Sequence, residues 1–210
     1  MKPEPKVLFI DIETSGMKVR LFDLRVRGWV NPRNILQNGY VLSFAYKWLG
    51  EDKIHFVKTS DGHKDMLRKM HKLLGEADAV VHYNGKKFDV PILNWEFVLN
   101  KLKPLKSLPV QIDLLPMVRR VFKMPSYSLD YVCQTLGIGR KIKHEGLGLW
   151  DAADAAKNQP RALVWSRMSR YNKHDVHLTE GLYKVMRPWF KYAHGYKRID
   201  EWLEGHRSKP

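Results

Sequence analysis

The spacing of apolar and polar residues changes character several times along the chain. Residues 7–16, VLFIDIETSG, begin with four consecutive apolar residues and end on a glycine. Such a short, β-branched run reads as a buried strand over residues 7–13. Further apolar or alternating runs predict strands at 25–31, 40–48, 53–58, 78–83 and 109–112. Apolar positions three and four apart predict helices at 62–75, 88–101, 113–122, 127–136 and 160–187. Gly137 and Gly139 suit the end of the fourth helix, and Pro188 stops the fifth. Strands come first and helix–strand alternation follows, which predicts an α/β fold with a central mixed sheet flanked by helices. The chain has no internal repeat and no low-complexity linker. Residues 1–190 therefore read as one domain, opened by a short arm, and residues 191–210 as a basic C-terminal extension.

Acids interrupt this pattern at three places. In the first strand, Asp11 and Glu13 point to one face while Ile10 and Ile12 point to the other. Two neighbouring carboxylates at the end of a core strand repel each other, and a cation between them would relieve the repulsion. In the fifth helix, Val164, Met168, Tyr171, Asp175, Leu178, Leu182 and Val185 fall on one inward stripe. Asp175 is the member that does not suit a core. Burying it ionised is costly unless a cation or a raised pKa compensates, and either a metal ion or an Arg or Lys from a neighbouring element would serve. Tyr171 lies one turn earlier on the same face, close enough to share a ligand or a water. The third place is HYNGKKFD, residues 82–89. Asn84 and Gly85 make a turn that presents Asp89 at the start of a helix, with Pro91 suited to its first turn. An acid there can cap the helix or complement its dipole, or it can join the other acids. Lys86 and Lys87 beside it would hold a phosphate chain.

Charge adds a partner class. Lys and Arg number 37 against 22 acids, a net charge of +15. That balance favours a polyanion, nucleic acid first and a membrane surface second. Cys133 is the only cysteine, so an internal disulfide is excluded and a reducing, intracellular, cytoplasmic setting is expected. No apolar stretch approaches the roughly 20 residues of a membrane span, and the four apolar residues after MKPEPK are too few for a signal peptide.

Asp11, Glu13, Asp89 and Asp175 come from three separated segments. Gathered together, they would bind two divalent ions able to stabilise the attacking and leaving oxygens of a phosphoryl displacement. Oxygen ligands point to Mg²⁺ or Mn²⁺ rather than zinc. His174 and His177 have a spacing that zinc also uses, but no cysteine lies near them.

In chain order, DIET, NGKKFD (Asn-x-x-x-Phe-Asp) and YNKHD (Tyr-x-x-x-Asp) resemble the three exonuclease motifs of DnaQ-like 3′–5′ exonucleases. The tyrosine of the third motif places the resemblance in the DEDDy branch, which includes the proofreading domains of family B DNA polymerases. Arg170 stands where the DEDDh branch has its histidine. IDLLPMVRR (112–120) and SYSLDYVCQTLGIG (126–139) are similar to segments of polymerase-B-type exonucleases. GYVLSFAYKWLG (39–50) resembles stand-alone exonucleases of tailed phages in particular. Tyr196 and Asp200 repeat the third spacing, but they lie beyond Pro188 and outside the long apolar stripe.

The resemblance spans roughly residues 7–190 and implies a ribonuclease-H-like fold. It implies that Asp11, Glu13, Asp89 and Asp175 ligate two Mg²⁺ or Mn²⁺ ions, and that Tyr171 orients the attacking water. Cleavage would release nucleoside 5′-monophosphates from a 3′ end. Asn84 and Phe88 would contact the terminal nucleotides, Phe88 by stacking or wedging. The backbone around Thr14 would meet the 3′ end. Lys143, in the basic run RKIKH at 140–144, would clamp a strand phosphate or belong to a solvated loop. The expected substrate is DNA ahead of RNA, with a single-stranded 3′ end, and the expected partner is a polymerase in trans. A phage-encoded protein would work in the host cytoplasm. Two other readings stand beside this one: a 3′–5′ exoribonuclease, and a non-catalytic nucleic-acid-binding module on the same fold.

Overall fold

The computed structural model describes residues 5–22, 28–143, 146–158, 161–193, 199 and 201–203. Five strands form the central sheet: β1 (Val7–Thr14), β4 (Val41–Trp48), β5 (His55–Lys58), β6 (Ala79–His82) and β7 (Val110–Asp113). Their spatial order is β5-β4-β1-β6-β7. The β1–β4 and β4–β5 pairs are antiparallel, and β1–β6 and β6–β7 are parallel, so the sheet is mixed as expected. A separate two-stranded sheet joins β2 (Lys18–Val19) to β3 (Ile35–Gln37). Six helices follow or interleave: α1 (His63–Glu76), α2 (Asp89–Leu99), α3 (Leu114–Val121), α4 (Leu129–Thr135), α5 (Gly148–Ala155) and α6 (Ala162–Met186).

The two faces of β1 bury different helices. Leu8, Ile10 and Ile12 pack in one cluster with Met66 and Met70 of α1 and Leu93 and Phe97 of α2. Val7 and Phe9 face the other way, into a cluster with α3, α4 and α6. Asp11 and Glu13 continue that second face. The alternation read from the sequence therefore decides which layer the acids meet. They meet α6, which packs across β1 and β4.

Local chemistry explains several helix ends. The Asp113 carboxylate accepts from Leu115 N–H and caps α3, and Ser128 Oγ accepts from Tyr131 N–H and caps α4. At the far end of α4, Ile138 N–H donates to Cys133 O and Gly137 N–H to Gln134 O, with Gly137 at φ +70°. This left-handed closure is why the glycine is placed there.

Three expectations need correction. The strand expected at 25–31 falls partly on residues 23–27, which lie outside the described set; among the described residues, 28–31 form no strand and Trp29 is 99% exposed. Val185 is exposed at the margin of α6, and Met186 takes the inward place. The buried face of α6 is also wider than one stripe, because α5 packs on it from the side and brings Trp165 inside. It includes Asn172, Thr179 and Glu180, the last paired with buried Lys47 at 2.7 Å. Helix α5 itself was not anticipated. Beyond residue 190, Ala193 and Leu203 are buried in the α6-side core, while 194–198, 200 and 204–210 lie outside the described set, with Tyr196 and Asp200 among them.

Candidate active site

Strand β1 delivers Asp11 and Glu13 toward α6, and its pairing with β4 shifts register between Glu13 and Thr14. Such a bulge ends regular pairing where a side chain must be re-aimed. From α6, Asp175 and Tyr171 face the same spot, one turn apart. Among the described residues, Asp11, Glu13 and Asp175 each offer an oxygen, and these oxygens all lie within 4.8 Å of one another. Asp89 arrives from the opposite helix layer, at the first turn of α2, and its Oδ1 accepts from Ile12 N–H at 3.2 Å. It is near enough to press electrostatically on Asp11, but it is not in the tight group of three.

Burial pushes all four acids toward the protonated form, and repulsion from the other acids of the group adds to it at Asp11 and Glu13. Burial is the largest cause for Asp11, followed by the charges of Glu13, Asp175 and Asp89, and its pKa stands well above the usual range. Burial raises Glu13 to about 7, against a hydrogen bond from Trp150 that lowers it. Burial raises Asp89 to about 7 as well, against the Ile12 N–H. Asp175 is raised by burial and held back by the Lys141 ammonium. These acids are costly as bare anions, and a cation among them reverses the cost.

Side chains that sequence reasoning did not single out hold the group in place. Asn172 donates to Asp11 Oδ2 at 2.6 Å and to Asp11 O at 3.1 Å. Trp150, on the unanticipated α5, donates its indole N–H to Glu13 Oε2 at 2.7 Å and sets its ring edge-on to Tyr171. Lys141 reaches Asp175 Oδ2 at 2.6 Å and Tyr171 Oη at 3.3 Å. Asn172 follows Tyr171 directly and Lys141 sits within the basic run, so both lay in view. No periodic signal marks Trp150.

The turn carrying Asn84 is built from below. Asp113, at the end of β7, accepts from Asn84 N–H at 2.8 Å and Lys86 N–H at 3.1 Å, and His82 Nδ1 accepts from Gly85 N–H at 3.1 Å. Asn84 adopts φ +66°. A side chain at Gly85 would put its Cβ 2.4 Å from His82 Cγ, so only glycine fits. This platform fixes the start of α2 and hence Asp89.

The expected substrate contacts fall unevenly. Phe88 is 44% exposed beside Asp89, open to a stacking partner. Thr14 lines an apolar cleft of about 350 Å³ with Met17, Gly39, Pro91, Ile92 and Trp95. Lys143 is exposed; in the basic run it is Lys141 that reaches the carboxylates. The lysine two residues earlier has the nearer anchor, since Lys141 N–H also bonds Asp130 Oδ1 at 2.6 Å.

The donor set fits a hard divalent ion. Three carboxylates converge, and Asp175 Oδ1 is buried with no hydrogen-bond partner among the described residues. A buried carboxylate oxygen left without a donor is the observation expected of a metal-ligand atom.

Comparison with known proteins agrees with the fold. The family model of the RNase_H superfamily matches residues 37–187. The chain is 24% identical over 160 residues to DNA polymerase 1 of Pyrococcus abyssi, covering 63% of this chain and 19% of that protein. It is 24% identical over 222 residues to a DNA polymerase of Methanocaldococcus jannaschii, covering 90% of this chain and 13% of that protein. The chain thus spans less than a fifth of the length of these polymerases. Among the described residues, no helix is long and apolar enough to cross a membrane. With a mixed five-stranded sheet, helices on both faces and acids converging at the end of β1, the chain belongs to the RNase H superfamily.

Proposed function

We propose that this protein is a metal-dependent 3′–5′ exonuclease of the DEDDy type, acting on a single-stranded DNA end and releasing nucleoside 5′-monophosphates. The observation that carries this reading is the convergence of Asp11, Glu13 and Asp175, with one buried Asp175 oxygen unpaired and the Tyr171 hydroxyl beside it. Asp11, Glu13 and Asp175 would hold Mg²⁺ or Mn²⁺, with Asp89 completing the set for a second ion. Such ions supply Lewis acidity to the scissile phosphate and lower the pKa of an attacking water.

The chain's own groups do the rest. Burial, followed by the Asp175 charge, pushes the Tyr171 phenol up to about 12, so it stays protonated at neutral pH and can orient a water by hydrogen bonding. For the Lys141 amine, burial works downward but the Asp175 charge outweighs it, so the ammonium is retained to face an anionic phosphate oxygen. Phe88 offers a face to a terminal base. The similarity to archaeal DNA polymerases supports a strand end as substrate and work beside a polymerase. The kinship with tailed-phage exonucleases belongs to the same proposal, as does a domain boundary near residue 190.

A digest of oligonucleotides labelled at either the 3′ or the 5′ end tests this reading. With Mg²⁺ or Mn²⁺, 3′ label is released as mononucleotide at once, while 5′ label shortens through a ladder; EDTA stops both. Asp11→Ala and Asp175→Ala abolish cleavage while keeping the fold. Wild-type rates in either variant, or loss from the 5′ end, would overturn it. Matched DNA and RNA oligomers in the same assay rank the two substrates.

A further inference from the structure

Beyond Tyr171 the surface opens into a second cleft, of about 490 Å³, between residues 142–143, α5 and α6. Its floor is apolar, made by Leu149 and Ala152 of α5 and Val164 of α6. Its rim is cationic, carrying Lys143, Arg167 and Arg170, all exposed. Tyr171 closes the end nearest the carboxylates, so the cleft and the candidate active site share a wall.

The two clefts beside the acids differ in charge. The one at Thr14 has no basic residue in its lining, whereas the one at Tyr171 has three. An exonuclease must release the nucleotide it cuts off and keep hold of the strand it shortens. An apolar cleft without cations suits the leaving nucleotide. A cleft with an apolar floor and a cationic rim suits retained strand, with bases on the floor and phosphates on the rim. Along α6, Val164, Arg167 and Tyr171 are three and four residues apart and form one ridge. At 1.5 Å rise per residue, Arg167 lies about 6 Å and Val164 about 10 Å from Tyr171 along the helix. The ridge therefore leads away from the site of cleavage in register with a strand that continues past it.

We propose that the cleft between residues 142–143, α5 and α6 is the binding site for the single-stranded nucleic acid on the 5′ side of the scissile phosphate. This gives exposed Lys143 a place to act, since it lines this cleft. The proposal rests on the exonuclease reading and gives that reading a strand polarity across the site.

Binding of 5′-fluorescein-labelled oligothymidylates of increasing length, followed by anisotropy with Ca²⁺ present, tests it without requiring turnover. The wild-type protein gains affinity with length as the strand fills the cleft. In the double variant Lys143→Ala/Arg170→Ala that gain is lost, with about tenfold weaker binding of an octamer and a salt dependence shallower by roughly 0.7 per lost phosphate contact. Leu163→Glu is a second variant at the same cleft, at a side chain 68% exposed, so folding is not at stake. Its added negative charge should weaken octamer binding in the same direction. Variants that bind the octamer as tightly as the wild type, while the wild type still cleaves 3′ ends, would overturn this assignment and leave the exonuclease reading standing. A wild-type protein that binds no oligonucleotide at all would overturn both.

Discussion

Asp175 shows at the scale of one side chain why the proposed site calls for a cation. One of its oxygens is paired with Lys141, the other is buried and unpaired, and its pKa is raised by burial. Glu13 and Asp89, raised from 4.5 and 3.8 to about 7, share the predicament. A folded-state pKa above the unfolded one favours the folded state while the group is protonated. That contribution is complete below about pH 4 and is lost as pH climbs through about 7. Metal-free protein should therefore lose stability over that window, and an ion should restore it. The gain in Tm on replacing EDTA with Mn²⁺ should grow from near zero at about pH 5 to several degrees at about pH 8. A gain that is flat or shrinks with pH would show that these acids do not hold the ion. Tyr171→Phe removes a hydroxyl and nothing else, so cleavage should slow by roughly ten- to a hundredfold, less than in Asp175→Ala. Equal losses in single-turnover assays would mean that the hydroxyl does more than orient water.

Elements position what residues do. Helix α5 is tied down at Asp154, which accepts from Tyr40 Oη at 2.6 Å and pairs with Lys18 at 2.7 Å. So anchored, it brings the Trp150 indole to Glu13 and its ring to Tyr171. Trp150→Phe keeps most of the ring packing and deletes the donated hydrogen bond. Outer groups that orient metal ligands are commonly worth ten- to a hundredfold in affinity. The Mn²⁺ concentration for half-maximal cleavage should therefore rise about tenfold, with kcat at saturating Mn²⁺ changing less. An unchanged Mn²⁺ requirement would reduce the indole to packing. At the turn before α2, Gly85→Ala forces a methyl against the buried His82 ring and should cost about 1–3 kcal/mol in a denaturant titration. A variant as stable as wild type would mean that the turn yields without strain.

Over the whole molecule, a net charge of +15 surrounds a small acidic pit. On the proposed function, long-range attraction would draw a polyanion in, and short-range repulsion inside the pit would require an ion before a phosphate settles there. KM for an oligonucleotide should rise with salt, with a slope in log–log form of about 0.7 for each phosphate contacted. A KM indifferent to salt between about 50 and 200 mM would argue that the charge serves another purpose.

Much of this was legible in the chain itself. Alternation in β1 set which face carries Asp11 and Glu13, because strand periodicity is local and needs no partner. The long apolar stripe marked α6 and made Asp175 conspicuous, since a charge in a buried row is visible without coordinates. Helix α5 was not legible, because its few apolar residues form no sustained stripe and its place is fixed by Tyr40, Lys18 and Glu13, all distant in sequence. The same holds for Lys141 over Lys143: two lysines in one basic run look alike until Asp130 anchors one of them toward Asp175. Sequence alone determined the sheet-and-helix pattern and the identity of the acids, through local periodicity and misplaced charge. Only the tertiary structure decided which acids converge, which cation faces them and which helix covers them, because those depend on contacts between segments far apart along the chain.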